Sequence, residues 1–139
     1  MASKKIHTTN YVNTLIEVAE DTKATAGNCP PAKEKKTTAE LQYELIAENP
    51  YRYTSDDVLF QVYAQRNDLT ENELSEARKQ FFSKGQPCLR TSPLTKTYGF
   101  GIHSNEEGKI ALYGMESEEY QRFLSDNTIK KVKAMRSSR

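Results

Sequence analysis

The chain has 139 residues, of which 36% are apolar and 28% charged, with eight Tyr and five Phe; this predicts one globular domain over 1–139 and argues against a disordered chain. No apolar run approaches the roughly 20 residues of a membrane span, and the start MASKKIHTTNYVN lacks the apolar stretch of a secretory signal, so a cytoplasmic protein without membrane contact is expected. The net charge of +1 is uneven, because the basic segment 129–139 holds Lys130, Lys131, Lys133, Arg136 and Arg139 without an acid and leaves residues 1–128 at −4, a balance that speaks against a dedicated nucleic-acid binder.

Residues 1–10 read as a flexible lead. Thr14 to Glu20 mixes β-branched residues with partial alternation and predicts a first strand. The stretch 21–36, with Gly27, Pro30, Pro31 and four Lys, has no useful period and reads as a surface loop. Three helices follow, each opened by a threonine three residues before an acid: Thr37 with Glu40, Thr54 with Asp57, and Thr70 with Glu73. That spacing lets hydroxyl and carboxylate satisfy the orphan N–H groups of a first turn. Leu41, Leu45 and Ile46, then Val58, Leu59 and Val62, then Leu74, Ala77, Phe81 and Phe82 supply the apolar stripes. Asn49-Pro50 separates the first two helices, and Gly85 is expected to end the third.

A β-hairpin is expected near 97–114. Tyr98, Phe100 and Ile102 alternate with Gly99, Gly101 and His103, and Ile110 to Tyr113 return after Ser104-Asn105-Glu106-Glu107-Gly108. Ser117, with Glu118 and Glu119 behind it, starts a short helix carrying Tyr120, Phe123 and Leu124. Ile129 to Met135 fit a last strand. The fold class is therefore α+β: a small, mostly antiparallel sheet of about four strands with three to four helices packed on one face.

The hairpin offers the most suggestive chemistry. Its Tyr98, Phe100, Ile102, Ile110 and Leu112 face fills a core, whereas Gly99, Gly101 and Ala111 leave the other nearly bare beside His103 and Tyr113. A bare strand face receives either a ligand or partner, or a closely packed helix. Upstream, Arg90, Ser92 and Lys96 lie in a hydroxyl-rich loop with the chemistry of an anion site or of an ordinary connection. The candidate ligand-binding set is thus Arg90, Ser92, Lys96, Tyr98, Gly99, Gly101, His103 and Tyr113. Gly99-Phe100-Gly101 lacks the third glycine and the following helix of a dinucleotide site.

Cys88 and His103 could form a nucleophile and base in hydrolase- or transferase-type chemistry, although Cys88 follows a helix C-terminus, where the dipole disfavours a thiolate. Cys29 and Cys88 form no CxxC pair and read as reduced thiols. His7, Cys29, Cys88 and His103 are solitary, unlike the paired ligands of a structural zinc, so no metal or cofactor is expected. Asp56-Asp57 reads as helix capping. The basic tail is either a phosphate-binding patch or the solvated edge of a strand.

The segments HTTNYVNTLIEVAED, ENPYRYTSDDVLFQVYAQRNDL, FFSKGQPCLRTSPLTKTYGFGIHSNEEGKIALYG and IKKVKAMRS resemble, nearly end to end, a family of short bacterial proteins known only as a domain of unknown function. The resemblance implies a bacterial, cytoplasmic, single-domain protein and assigns no activity, cofactor or catalytic residue. The resulting expectation is a non-enzymatic module that binds a small anionic ligand or a partner protein, with an enzyme using Cys88 and His103, or weak nucleic-acid binding through the tail, as alternatives. The edges of a small sheet also leave a homodimer open.

Overall fold

In the computed structural model, described for residues 7–136, the chain runs β1 (Thr14–Glu17), α1 (Thr38–Ala47), α2 (Ser55–Arg66), α3 (Leu74–Phe81), α4 (Pro93–Lys96), β2 (Phe100–Ser104), β3 (Ile110–Gly114), α5 (Glu118–Ser125) and β4 (Lys130–Lys133). Positions 1–6 of the expected flexible lead, and 137–139 of the basic segment, lie outside the described residues.

The first two capping boxes form in full. The Thr37 hydroxyl accepts the Glu40 N–H at 3.2 Å, and the Glu40 carboxylate accepts the Thr37 N–H at 3.4 Å. Thr54 and Asp57 repeat the exchange at 3.1 Å in both directions. At Thr70 the Glu73 carboxylate accepts the Thr70 N–H at 2.8 Å and the Thr70 hydroxyl at 3.0 Å, and the Glu73 N–H donates to the Thr70 carbonyl at 2.9 Å. The chain therefore winds through a tight 3-10 turn, Glu71–Glu73, before α3 begins. α3 also ends four residues before Gly85, because Ser83 and Gln86 side chains donate to the carbonyls of Gln80 and Phe81 and so satisfy its last turn.

The region 88–97 is folded rather than loose. A 3-10 turn, Leu89–Thr91, leads into α4, whose Ser92 N-cap and Pro93 first position start a helix at little cost. Leu89, Leu94 and Thr95 are fully buried there.

The sheet order is β3-β2-β1-β4, with β1 antiparallel to β2 and parallel to β4. Register places Ile16, Ile102, Leu112 and Val132 in one row, and Leu15, His103, Ala111 and Lys131 in the next, so the two rows face opposite ways. The first face carries the core, in which Ile16 and Ile102 meet Ile46 of α1, Val58 of α2 and Leu94 of α4. β3 and β4 run in the same direction, so their connection must travel back along the sheet. α5 makes that return across the second face and covers Gly101 with Tyr120. Four helices thus lie toward the core side and the fifth lies behind the sheet.

The N-terminal segment is pinned before β1. The Asp56 carboxylate accepts from the Thr9 N–H and hydroxyl, both at 2.7 Å, and from the Thr8 hydroxyl at 2.8 Å, while the Asn10 side chain accepts the Asp56 N–H at 2.9 Å. Asp56 is 9% exposed. Asp57 does the capping, and its neighbour ties a strap across the start of α2.

Candidate functional site

A Cβ on Gly101 would run into the Tyr120 ring, and the Tyr120 hydroxyl accepts the Val18 N–H at 3.1 Å. Gly99 has φ +79 and lies so close to the Ala26 carbonyl that no side chain fits. The Asn28 N–H donates to the Tyr98 carbonyl at 2.8 Å, which draws the loop 21–36 along this end of the hairpin. The glycines of the candidate set therefore lie under a helix and a loop.

His103 and Tyr113 are brought together on the same face by a residue outside that set. The Tyr51 hydroxyl lies 2.8 Å from His103 Nδ1 and 2.8 Å from the Tyr113 hydroxyl. Phe123 of α5 stacks on the imidazole at 4.1 Å and 8°, and meets the Tyr113 ring edge-on at 5.0 Å. Tyr51 has φ +60, a costly conformation for a bulky residue, and its N–H is fixed to the Ile110 carbonyl at 2.8 Å. Burial pushes the Tyr51 phenol far upward, with its bond to Tyr113 adding to the shift. Burial likewise lowers the His103 pKa, opposed by the nearby Asp126 carboxylate.

The remaining candidates serve other contacts. Arg90 Nε donates to the Lys133 carbonyl at 2.6 Å, and the Arg90 carbonyl accepts the Met135 N–H at 2.7 Å. Ser92 is buried, donates to Gln42 at 2.6 Å and accepts the Leu94 N–H. Lys96 ends α4. Cys88 meets the Tyr11 hydroxyl at 3.8 Å, and no hydrogen bond of the described residues joins it to His103. Among the described residues no group of three or more His, Cys, Asp or Glu is arranged to hold a metal ion.

A further cleft lies elsewhere, between α2 and α3. It encloses about 760 Å³ and has Phe60, Ala64, Leu69 and Leu74 as apolar walls, with Asp68 and Arg78 among its polar ones. Leu69 joins its lining because of how α2 stops. Asp68 adopts φ +48, the Leu69 N–H reaches back to the Ala64 carbonyl, and the Asp68 N–H to Gln65. This left-handed termination folds Leu69 onto the last turn. Arg78 is held in the cleft by Asp57 at 2.9 Å and lies 5.7 Å over the Phe60 ring. A second niche of about 280 Å³ shares Gln65 and Asp68 as walls and adds Lys35, Lys36, Leu41 and Arg66. Lys36 is paired with Glu44 at 2.7 Å, whereas Arg66, among the described residues, donates only to the Thr38 hydroxyl. Lys35 has no ion pair among the described residues.

Over residues 6–139 the chain matches a family described as a family of unknown function, DUF6157. The chain belongs to that family. No curated protein and no solved structure matches it. Membership in the DUF6157 family agrees with the resemblance read from the quoted segments and extends across the loop 21–36, which those segments omitted.

Two features of this DUF6157 member escaped residue-by-residue reading. Asn49-Pro50-Tyr51 marks a helix break, but nothing in those letters shows that Tyr51 turns left-handed and reaches His103. Asp68-Leu69 after an apolar stripe is a usable signal of a left-handed helix end; the niche beyond it needs Lys35 and Arg66 to meet across the fold.

Proposed function

We propose that the protein is a non-enzymatic module that binds a small anionic ligand in the cleft between α2 and α3. The supporting observation is electrostatic. The joined cleft and niche present Lys35, Lys36, Arg66 and Arg78; Lys36 and Arg78 are paired with Glu44 and Asp57, which leaves Lys35 and Arg66 against one lining acid, Asp68. Cationic side chains around a concave wall raise the local concentration of an anion and hold it by charge-assisted hydrogen bonds. The cleft also falls in the volume range of small-molecule sites.

A binding role without chemistry fits the remaining reactive groups. Tyr51 is a poorer acid than a free phenol, His103 is held toward its neutral form, and Cys88 and His103 have separate partners. The two free thiols fit a reducing bacterial cytoplasm.

Titration with inorganic phosphate, followed by amide NMR shifts, tests the reading. Saturable shifts at Lys35, Lys36 and Arg66 are expected, weakening about tenfold or more in a Lys35→Ser, Arg66→Ser variant, in line with the loss of two charge-assisted contacts. Unaltered amides in the wild type would overturn the assignment.

A further inference from the structure

Resting on the anion-binding reading, we infer that the ligand is a free single-chain amphipathic acid, with its charged head in the Lys35/Arg66 niche and its apolar body along the α2–α3 trough. The two compartments differ in chemistry and share a boundary. The niche supplies two cations that lack a carboxylate partner among the described residues, Lys35 and Arg66. The trough supplies Phe60, Ala64, Leu69 and Leu74, and its largest cation, Arg78, is already occupied by Asp57 and by the Phe60 and Phe82 rings. A purely polar anion would leave that apolar wall wet, and a purely apolar ligand would leave the niche cations unused.

The dimensions agree with one chain lying along a helix. From Phe60 to its end at Arg66 the α2 face is about 9 Å long at 1.5 Å per residue, and Gln65 and Asp68 border both compartments. The head therefore sits beyond the C-terminal end of α2, where Lys35 and Lys36 arrive from the loop preceding α1 and, with Arg66, offset the Asp68 carboxylate and the negative end of the helix dipole. α3 forms the outer wall and has no fully buried residue, so a modest outward shift of this helix admits a chain with little disruption of the core.

Calorimetric titration of the full chain with decanoate, acetate and decanol separates the parts of this assignment. Decanoate is expected to bind at least roughly 30-fold more tightly than acetate, since each fully buried methylene contributes about fourfold, and about tenfold more tightly than decanol. Lys35→Ser with Arg66→Ser should erase the preference for decanoate over decanol. Leu74→Ser should erase the preference for decanoate over acetate; if that variant unfolds, Ala64→Ser, a smaller polar change in the same trough wall, should weaken decanoate and decanol while leaving acetate binding and the thermal midpoint in place. Equal binding of acetate and decanoate overturns the amphipathic ligand but leaves the anion site intact. Decanol binding as well as decanoate removes the charged head, and no binding by any of the three, with silent amides in phosphate, removes both readings. Binding to anionic phospholipid vesicles with no response to decanoate overturns the free-acid ligand.

Discussion

Tyr51 shows what a single residue can settle. Its left-handed backbone costs on the order of 1–3 kcal/mol, and the return is a hydroxyl fixed between His103 Nδ1 and the Tyr113 hydroxyl. Burial is the main reason that the His103 pKa lies below its ordinary value of 6.5, with Asp126 working the other way and the neutral Tyr51 and Tyr113 hydroxyls completing its polar surroundings. The unfolded chain therefore takes up a proton more readily than the folded one. Stability is complete above about pH 6.5 and falls as the pH drops through the depressed folded value. Asp126, held below the ordinary carboxylate range by Thr128, titrates at lower pH and stays charged in this window. Urea midpoints should thus decline between pH 7 and 5 in the wild type, and the decline should flatten in His103→Gln; an unchanged slope would show that the ring is not responsible. His103 and Tyr113 were both legible as polar groups beside a bare strand face. Tyr51 was not, because its role depends on a backbone angle and on a contact half the chain away.

At the level of elements, local signals carried far and stopped at tertiary ones. Thr37-Glu40 and Thr54-Asp57 marked two helix starts to the residue. Thr70-Glu73 looked the same as letters but produced a 3-10 turn, since the Glu73 N–H found a carbonyl first. Ser92-Pro93 carried a start signal for α4 that the hydroxyl-rich surroundings obscured. The glycine face was legible as bare; what covered it was not, because only the parallel relation of β3 and β4 sends α5 behind the sheet. The close fit there is testable. Gly101→Ala should destabilise the protein by about 1–3 kcal/mol, the usual cost of overpacking, as read from denaturant melts. Adding Tyr120→Leu should recover part of it; an Ala variant as stable as the wild type would mean that the ring moves aside freely.

For the whole molecule, the two sheet edges are managed in different ways. At β3, the Tyr51 N–H donates to the Ile110 carbonyl and the Ile110 N–H to Tyr53, so the segment before α2 acts as a partial fifth neighbour. At β4, Arg90 occupies the Lys133 carbonyl and the Met135 N–H, and Lys130 and Lys133 stand exposed. Both devices discourage strand addition. Arg90, read from its neighbours as an anion ligand, guards an edge. Arg90→Ala should accordingly raise concentration-dependent self-association in sedimentation velocity, and a variant that stays as dispersed as the wild type would exclude that guarding role. The cleft was the least legible feature at this scale: Lys35 and Lys36 read as loop charges, and their convergence with Arg66 exists only once α1 and α2 pack.

The position of β1 between β2 and β4 has a consequence for biosynthesis. β1 is made well before both of its neighbours, which follow it by more than eighty residues. During most of translation it is a buried-type strand, Thr-Leu-Ile-Glu, with two vacant sides. The helices between can gather first, but the sheet closes only when residues near 130 are available, and so the cooperative step of folding should wait for β4.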